Sequence, residues 1–183
     1  MNRLDDVRRA GIVAQGLAIT GGTGAKITKN AISGNGGAGI DIGGGAARTT
    51  VAKNQVGRNG TGPGIRVADG VATAVVSNLV FDADTANILL GAAANATVRK
   101  NVVRGGEGDG ILVAAPSTGV SLEGNLASGH AGIGIGSLSP SVAFKRNRSD
   151  GNGVGFESTV GDTDAGANAA RGNLTNCTGP VSC

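Results

Sequence analysis

Proton-transfer chemistry needs titratable side chains, and in this chain few stand where a fold could gather them. The string Gly129 to Ser137, GHAGIGIGS, holds the only histidine, His130. Asp109 sits between two glycines in Gly108-Asp109-Gly110, and Asp82 and Asp84 lie further upstream. A different chemistry, binding of a polyanion, is suggested by Lys29, Lys53, Arg99, Lys100, Lys145, Arg146 and Arg171, which recur just before regularly spaced asparagines. No set of carboxylates offers the six or more oxygens of a Ca²⁺ cage, so neither a metal nor a cofactor is expected.

The elements that must position these residues are set by an internal repeat. An asparagine preceded three residues earlier by an apolar residue recurs as Ile27/Asn30, Val51/Asn54, Val75/Asn78, Val98/Asn101, Leu122/Asn125, Phe144/Asn147 and Ala170/Asn173, about every 23 residues. A second series, commonly after Gly, reads Leu17/Ile19, Ile40/Ile42, Ile65/Val67, Ile88/Leu90, Ile111/Val113, Ile133/Ile135 and Phe156. Period-two alternation puts these in the core and turns Ala18, Asp41, Arg66, Leu89, Leu112, Gly134 and Glu157 outward. A third inward series follows each asparagine by two residues: Ile32, Val56, Val80, Val103, Ala127, Ser149 and Thr175. Three short strands per repeat make a three-sided coil, and about seven coils at roughly 4.8 Å spacing give a rod of about 34 Å. Asparagine suits the corner because it tolerates the left-handed conformation and its amide can bond from coil to coil.

Composition agrees. There are 35 Gly, 3 Phe and no Trp or Tyr, so Ala, Val, Ile and Leu carry the apolar content, as short strands between tight turns require. A net charge of +3 without aromatic platforms among the basic residues argues against nucleic acid as a partner. No apolar run is long enough for a membrane span, and no signal peptide is evident at residues 1–10. Residues 1–15 are expected to form an N-terminal cap or incomplete first coil, 16–176 the solenoid and 177–183 a tail. A disulfide between Cys177 and Cys183 would staple that tail and point to an oxidising compartment; two free thiols are the alternative.

GIDI, GIRV, GILV and GIGI on one strand, with the Val/Ile-x-x-Asn corners, resemble the right-handed parallel β-helix of the pectate-lyase-like superfamily from about Gly16 to Thr175. The resemblance implies an all-β solenoid with an asparagine ladder and a secreted or cell-surface setting. GHAGIGIGS is also similar to the Gly-His-Gly-x-x-Ile-Gly-Ser motif of polygalacturonases, which implies a hydrolase in which an Asp donates a proton while others activate water, here carried by Asp84, Asp109 and His130. Ala131 interrupts that motif, Asp109 stands alone where the family has an aspartate pair, and the Arg-x-Lys expected near Phe156 is missing. A lyase would need Ca²⁺-binding acids and a basic residue on the outer face of the first strand, where Asp41 and Arg66 are followed by Leu89 and Leu112. The leading expectation is therefore a non-catalytic structural or carbohydrate-interacting module with an acidic polysaccharide as partner. The polysaccharide-degrading enzyme is the alternative. Leu79, Val102 and Leu126, one residue past successive asparagines, form an outward apolar stripe, with Leu89 and Leu112 a second pair; such surface is expected to seat another copy or a terminal segment.

Overall fold

Alternating β-branched residues and tight turns give each repeat three strands of a few residues, and each strand pairs in parallel with its counterpart one repeat away. The structure is a computed structural model describing Arg3–Asp5 and residues 16–183. The first sheet has eight strands, from Leu17–Thr20 to Thr175–Thr178. The second, also of eight, runs from Arg3–Asp5 to Thr163–Asp164, and the third, of seven, from Ala31–Ser33 to Ala169–Arg171. Arg3–Asp5 pairs with Lys26–Thr28. The expected boundary at residue 15 lies outside the described residues. No α-helix occurs among the described residues.

The core is a set of stacked like residues. On the first sheet Ile40, Ile65, Ile88, Ile111, Ile135 and Phe156 follow one another in register, all fully buried. Each such side chain removed from water stabilises the fold by about 1.5–3 kcal/mol. Because a coil touches only its neighbours, the apolar faces of one coil are sealed only by the next.

The corners correct the expected role of asparagine. The residue in the left-handed region is the one before it: Lys29, Lys53, Ser77, Lys100, Gly124, Arg146 and Ala167, at φ between 53° and 63°. None is β-branched, as that conformation demands. The asparagine that follows contributes its amide. Asn101 Oδ1 accepts from both the backbone N–H and the side-chain amide of Asn78, at 2.9 and 3.0 Å, while its own amide donates to the Val75 carbonyl at 2.9 Å and to Asn125 at 3.0 Å. Asn30, Asn54, Asn78, Asn101, Asn125 and Asn147 form this ladder, and it closes on Asn168. Asn173, assigned to the series with Ala170 three residues before it, belongs elsewhere, because the last coil is shorter.

Three register corrections follow from the same shortening and from one two-residue shift. Ile135, and not Ile133, pairs with Ile111, so Gly136 takes the outward position beside Leu112. Gly134 faces the interior, where a Cβ would lie 1.9 Å from Ser149 Oγ. Ala170 pairs with Ser149 on the third sheet, and Thr175 pairs with Val154 on the first. Glycines at 129, 132, 134 and 136 gave no side chains from which to read the alternation.

If the ladder carries the coil, Asn101→Ala should cost about 3–6 kcal/mol, since it strands the Asn78 donors and the Val75 carbonyl in the interior. Asn168→Ala, at the partly exposed end, should cost less; urea unfolding of the two variants checks the order, and equal small losses would contradict it.

Candidate functional site

The sole histidine stands at a second corner built like the first. After each third-sheet strand a residue at φ between 51° and 73° (Gly34, Arg58, Asp82, Gly105, Gly129, Gly151 and Gly172) precedes Asn35, Asn59, Ala83, Gly106, His130, Asn152 and Asn173. His130 thus occupies a ladder position. Its backbone N–H donates to Asn152 Oδ1 at 2.9 Å, as Asn152 donates to Asn173 at 2.7 Å. Its ring packs against Gly110, where a Cβ would lie 2.9 Å from Nε2, and the residue is 2% exposed. Neither ring nitrogen attains hydrogen-bond geometry. Burial pushes the imidazole below its ordinary value, opposed by the Val103 carbonyl, the Asp109 charge and the Gly105 carbonyl. Two coils earlier the ladder is patched by exchange. Ala83 lacks an amide, and Asn87 supplies one from the strand start, accepting from Ala83 N–H at 3.1 Å and donating to the Arg104 and Gly105 carbonyls at 3.2 and 3.0 Å.

Of the other residues suggested by the polygalacturonase resemblance, Asp109 is half-buried next to Gly110, on which the ring packs, and Asp84 stands further off. A carboxylate oxygen of Asp109 accepts from the Ile133 backbone N–H at 2.7 Å. Asp84 is exposed on the preceding turn, and Asp82 lies 3.7 Å from Arg58. Asp84 is thus exposed, Asp109 half-buried and His130 buried. On the outer face of the first sheet, Arg66 donates to both Asp41 oxygens, at 2.8 and 2.6 Å, which raises the guanidinium further above its ordinary range. Leu89 and Leu112 pair beside them, half-buried.

The third sheet has a different outer face. Lys29, Lys53, Lys100 and Arg146 stand exposed at the left-handed corner that leads into it, with Arg99 and Lys145 on the adjoining second-sheet edge. Glu123 interrupts this row, 4.0 Å from Lys145 Nζ and 3.8 Å from Arg146. On the face itself Leu79, Val102 and Leu126 align as a half-buried stripe. Phe81 follows Leu79 at an outward position and lies across Gly57, so closely that a Cβ there would be 2.5 Å from the ring. Ala31, Ile32, Ser33, Gln55, Arg58 and Phe81 line a groove of about 240 Å³. Sequence reasoning named neither Phe81 nor Gln55, Arg58 and Ser33. The available signal was parity: two of the 3 Phe fall at inward positions, and the third faces out beside a glycine one repeat earlier. Cys177 and Cys183 are joined by a disulfide at the far end.

Residues 2–149 match the family described as "Right handed beta helix region". No curated protein sequence matches the chain. Among solved structures, the periplasmic alginate epimerase AlgG superposes with a TM-score of 0.76 at 17% identity, covering 93% of this chain and 44% of that one. Pectate lyase Pel9A gives 0.71 at 18%, covering 97% and 54%. The enzymatically active domain of Bacteriophage CBA120 tailspike protein 2 gives 0.61 at 15%, covering 96% and 27%. The chain spans about half or less of the length of each of these structures, and at such identities the likeness is one of fold.

His130→Asn should restore an amide at one of the three second-ladder positions that lack one. A base held below its unfolded value makes the unfolded chain bind more protons, so stability falls as pH drops below about 6.5 and is unaffected above it. The variant should melt higher than the parent, by about 2–4 °C for each kcal/mol recovered, and the gap should widen from pH 7.5 to 5; a gap that narrows toward acid pH would contradict the assignment.

Proposed function

The chain belongs to the right-handed β-helix family, and on that footing we propose that it is a non-catalytic, carbohydrate-interacting module that holds an acidic polysaccharide along the basic edge of its third sheet. The observation that carries this reading is the exposed row Lys29, Lys53, Lys100 and Arg146, set at equivalent corners of stacked coils. Coils repeat at about 4.8 Å along the rod, so the cations line up parallel to its axis, as an extended polyanion requires. The left-handed backbone places each of them at the apex of its turn.

A non-catalytic role is favoured by what the titratable groups already do. Asp41 is bonded to Arg66, Asp109 holds the Ile133 N–H, and His130 is closed inside a coil. The similarity in fold to an alginate epimerase, a pectate lyase and a phage tailspike supports a carbohydrate partner. A secreted or cell-surface setting accords with the paired cysteines and with the periplasmic location named for AlgG. The half-buried stripe Leu79, Val102 and Leu126 borders the same edge and would also suit a second copy of the chain.

The protein should be retained on immobilised polygalacturonate at low ionic strength and released by salt. Lys53→Ala with Lys100→Ala should abolish retention while leaving the fold intact, since Ala167 occupies the same left-handed corner. Incubation with polygalacturonate should yield no unsaturated-product absorbance and no new reducing ends. Cleavage sensitive to Asp109→Asn would replace this reading with the hydrolase, and absence of retention at low salt would end it.

A further inference from the structure

The groove on the third sheet is unlike the rest of the outer surface because it combines an aromatic ring with a cation and neutral hydrogen-bonding groups. Phe81 reaches back over Gly57, the one third-sheet position among its neighbours that has no side chain to block the ring. The ring therefore lies along the sheet instead of standing away from it. Gln55 and Ser33 are exposed beside it, and Arg58 projects at the far corner with its side chain 78% exposed. Arg58 lies 3.7 Å from an oxygen of Asp82, itself half exposed; a pair so open to water contributes little and yields readily to a competing carboxylate. The space, about 240 Å³, is of the order of one sugar ring.

We propose that this groove is a saccharide subsite for a single uronic-acid residue. The apolar face of the pyranose lies on Phe81, its carboxylate is taken by the Arg58 guanidinium in place of Asp82, and its hydroxyls bond to Gln55 and Ser33. An aromatic surface supplies large contact area at small entropic cost, and the planar guanidinium fork reads a carboxylate in two parallel bonds. Lys53 leads directly into the strand that carries Gln55, so the subsite continues the basic edge across the face. This inference rests on the acidic-polysaccharide reading and adds to it a position at which one sugar is held in a defined orientation.

Titration calorimetry with trigalacturonate and with its neutral methyl ester separates the contributions. Phe81→Ala should weaken both by about tenfold or more, whereas Phe81→Tyr should keep the parent affinity. Arg58→Gln should weaken the charged trimer by about tenfold and leave the ester unchanged. Gln55→Ala and Arg58→Gln replace exposed side chains, so they decide the matter should Phe81→Ala fail to fold. Parent-like affinity for both trimers in Phe81→Ala, Gln55→Ala and Arg58→Gln, each melting cooperatively, overturns the subsite. A change in oligomeric state on Phe81→Ala without a change in trimer affinity also overturns it, in favour of a second copy on this face. If long polygalacturonate is then still held through Lys53 and Lys100, only the groove assignment falls. If that retention is absent too, the basic-edge reading falls with it.

Discussion

Each turn of this chain must reverse direction tightly enough to stack on the one before, and the constraint is met by a two-residue device: a left-handed residue, then a side-chain amide. The first supplies the bend and the second ties the bend to its neighbours, with Asn54, Asn78, Asn101 and Asn125 each bonding both up and down the stack. Because these amides are buried, each bond is made at low dielectric and each missing partner would cost about 1–3 kcal/mol. The spacing of the strands, the alignment of Ile and Val in the core and the outward row of cations all follow from that repeated corner. Where the device is modified, the structure adjusts locally, as when Asn87 serves a corner that Ala83 cannot.

The core closes at its C-terminal end by a change of materials. Coils shorten there, and the two inward phenylalanines meet edge to face with centroids 6.4 Å apart, filling space that aliphatic residues fill elsewhere. Ser149, fully buried, is satisfied by donating to the Gly155 carbonyl at 2.7 Å. Beyond the last strand the chain turns back, and Val181 is buried against the core with its N–H donated to Ser158 Oγ at 3.0 Å. Asp164 gathers the Gly166 N–H, the Ser182 N–H and the Asn168 amide, which hold its carboxyl below the usual range, the Gly166 bond contributing most. Val181 thus packs on the core from within the loop that the Cys177–Cys183 disulfide closes.

The fold was legible because stacking forces the same residue class to recur at the same offset, and a run such as Ile27, Val51, Val75, Val98 and Leu122 has no other simple cause. The register failed where that signal is silent. Among Gly132, Gly134 and Gly136 there are no side chains to show which residues face inward, and the shortened last coil puts Asn168, 21 residues from Asn147, in the place that the apolar-x-x-Asn pattern gives to Asn173. The outward pairing of Asp41 with Arg66 and the alignment of Leu79, Val102 and Leu126 follow directly from the repeat. The groove did not emerge, because it depends on a ring lying across a glycine of the neighbouring coil, a relation between two positions of which neither stands out alone.

In functional terms the same corner explains why a basic edge can coexist with a tightly packed rod. Lysine and arginine keep their charged ends in water while their backbones take the bend, so a polyanion would meet cations whose anchoring atoms are rigidly spaced. Whether a polyanion binds on this edge is read by lysine acetylation followed by mass spectrometry. With polygalacturonate bound, Lys29, Lys53 and Lys100 should be protected, while Lys26, exposed on the second sheet, should react as it does in the free protein. Equal protection of all four, or of none, would contradict binding there.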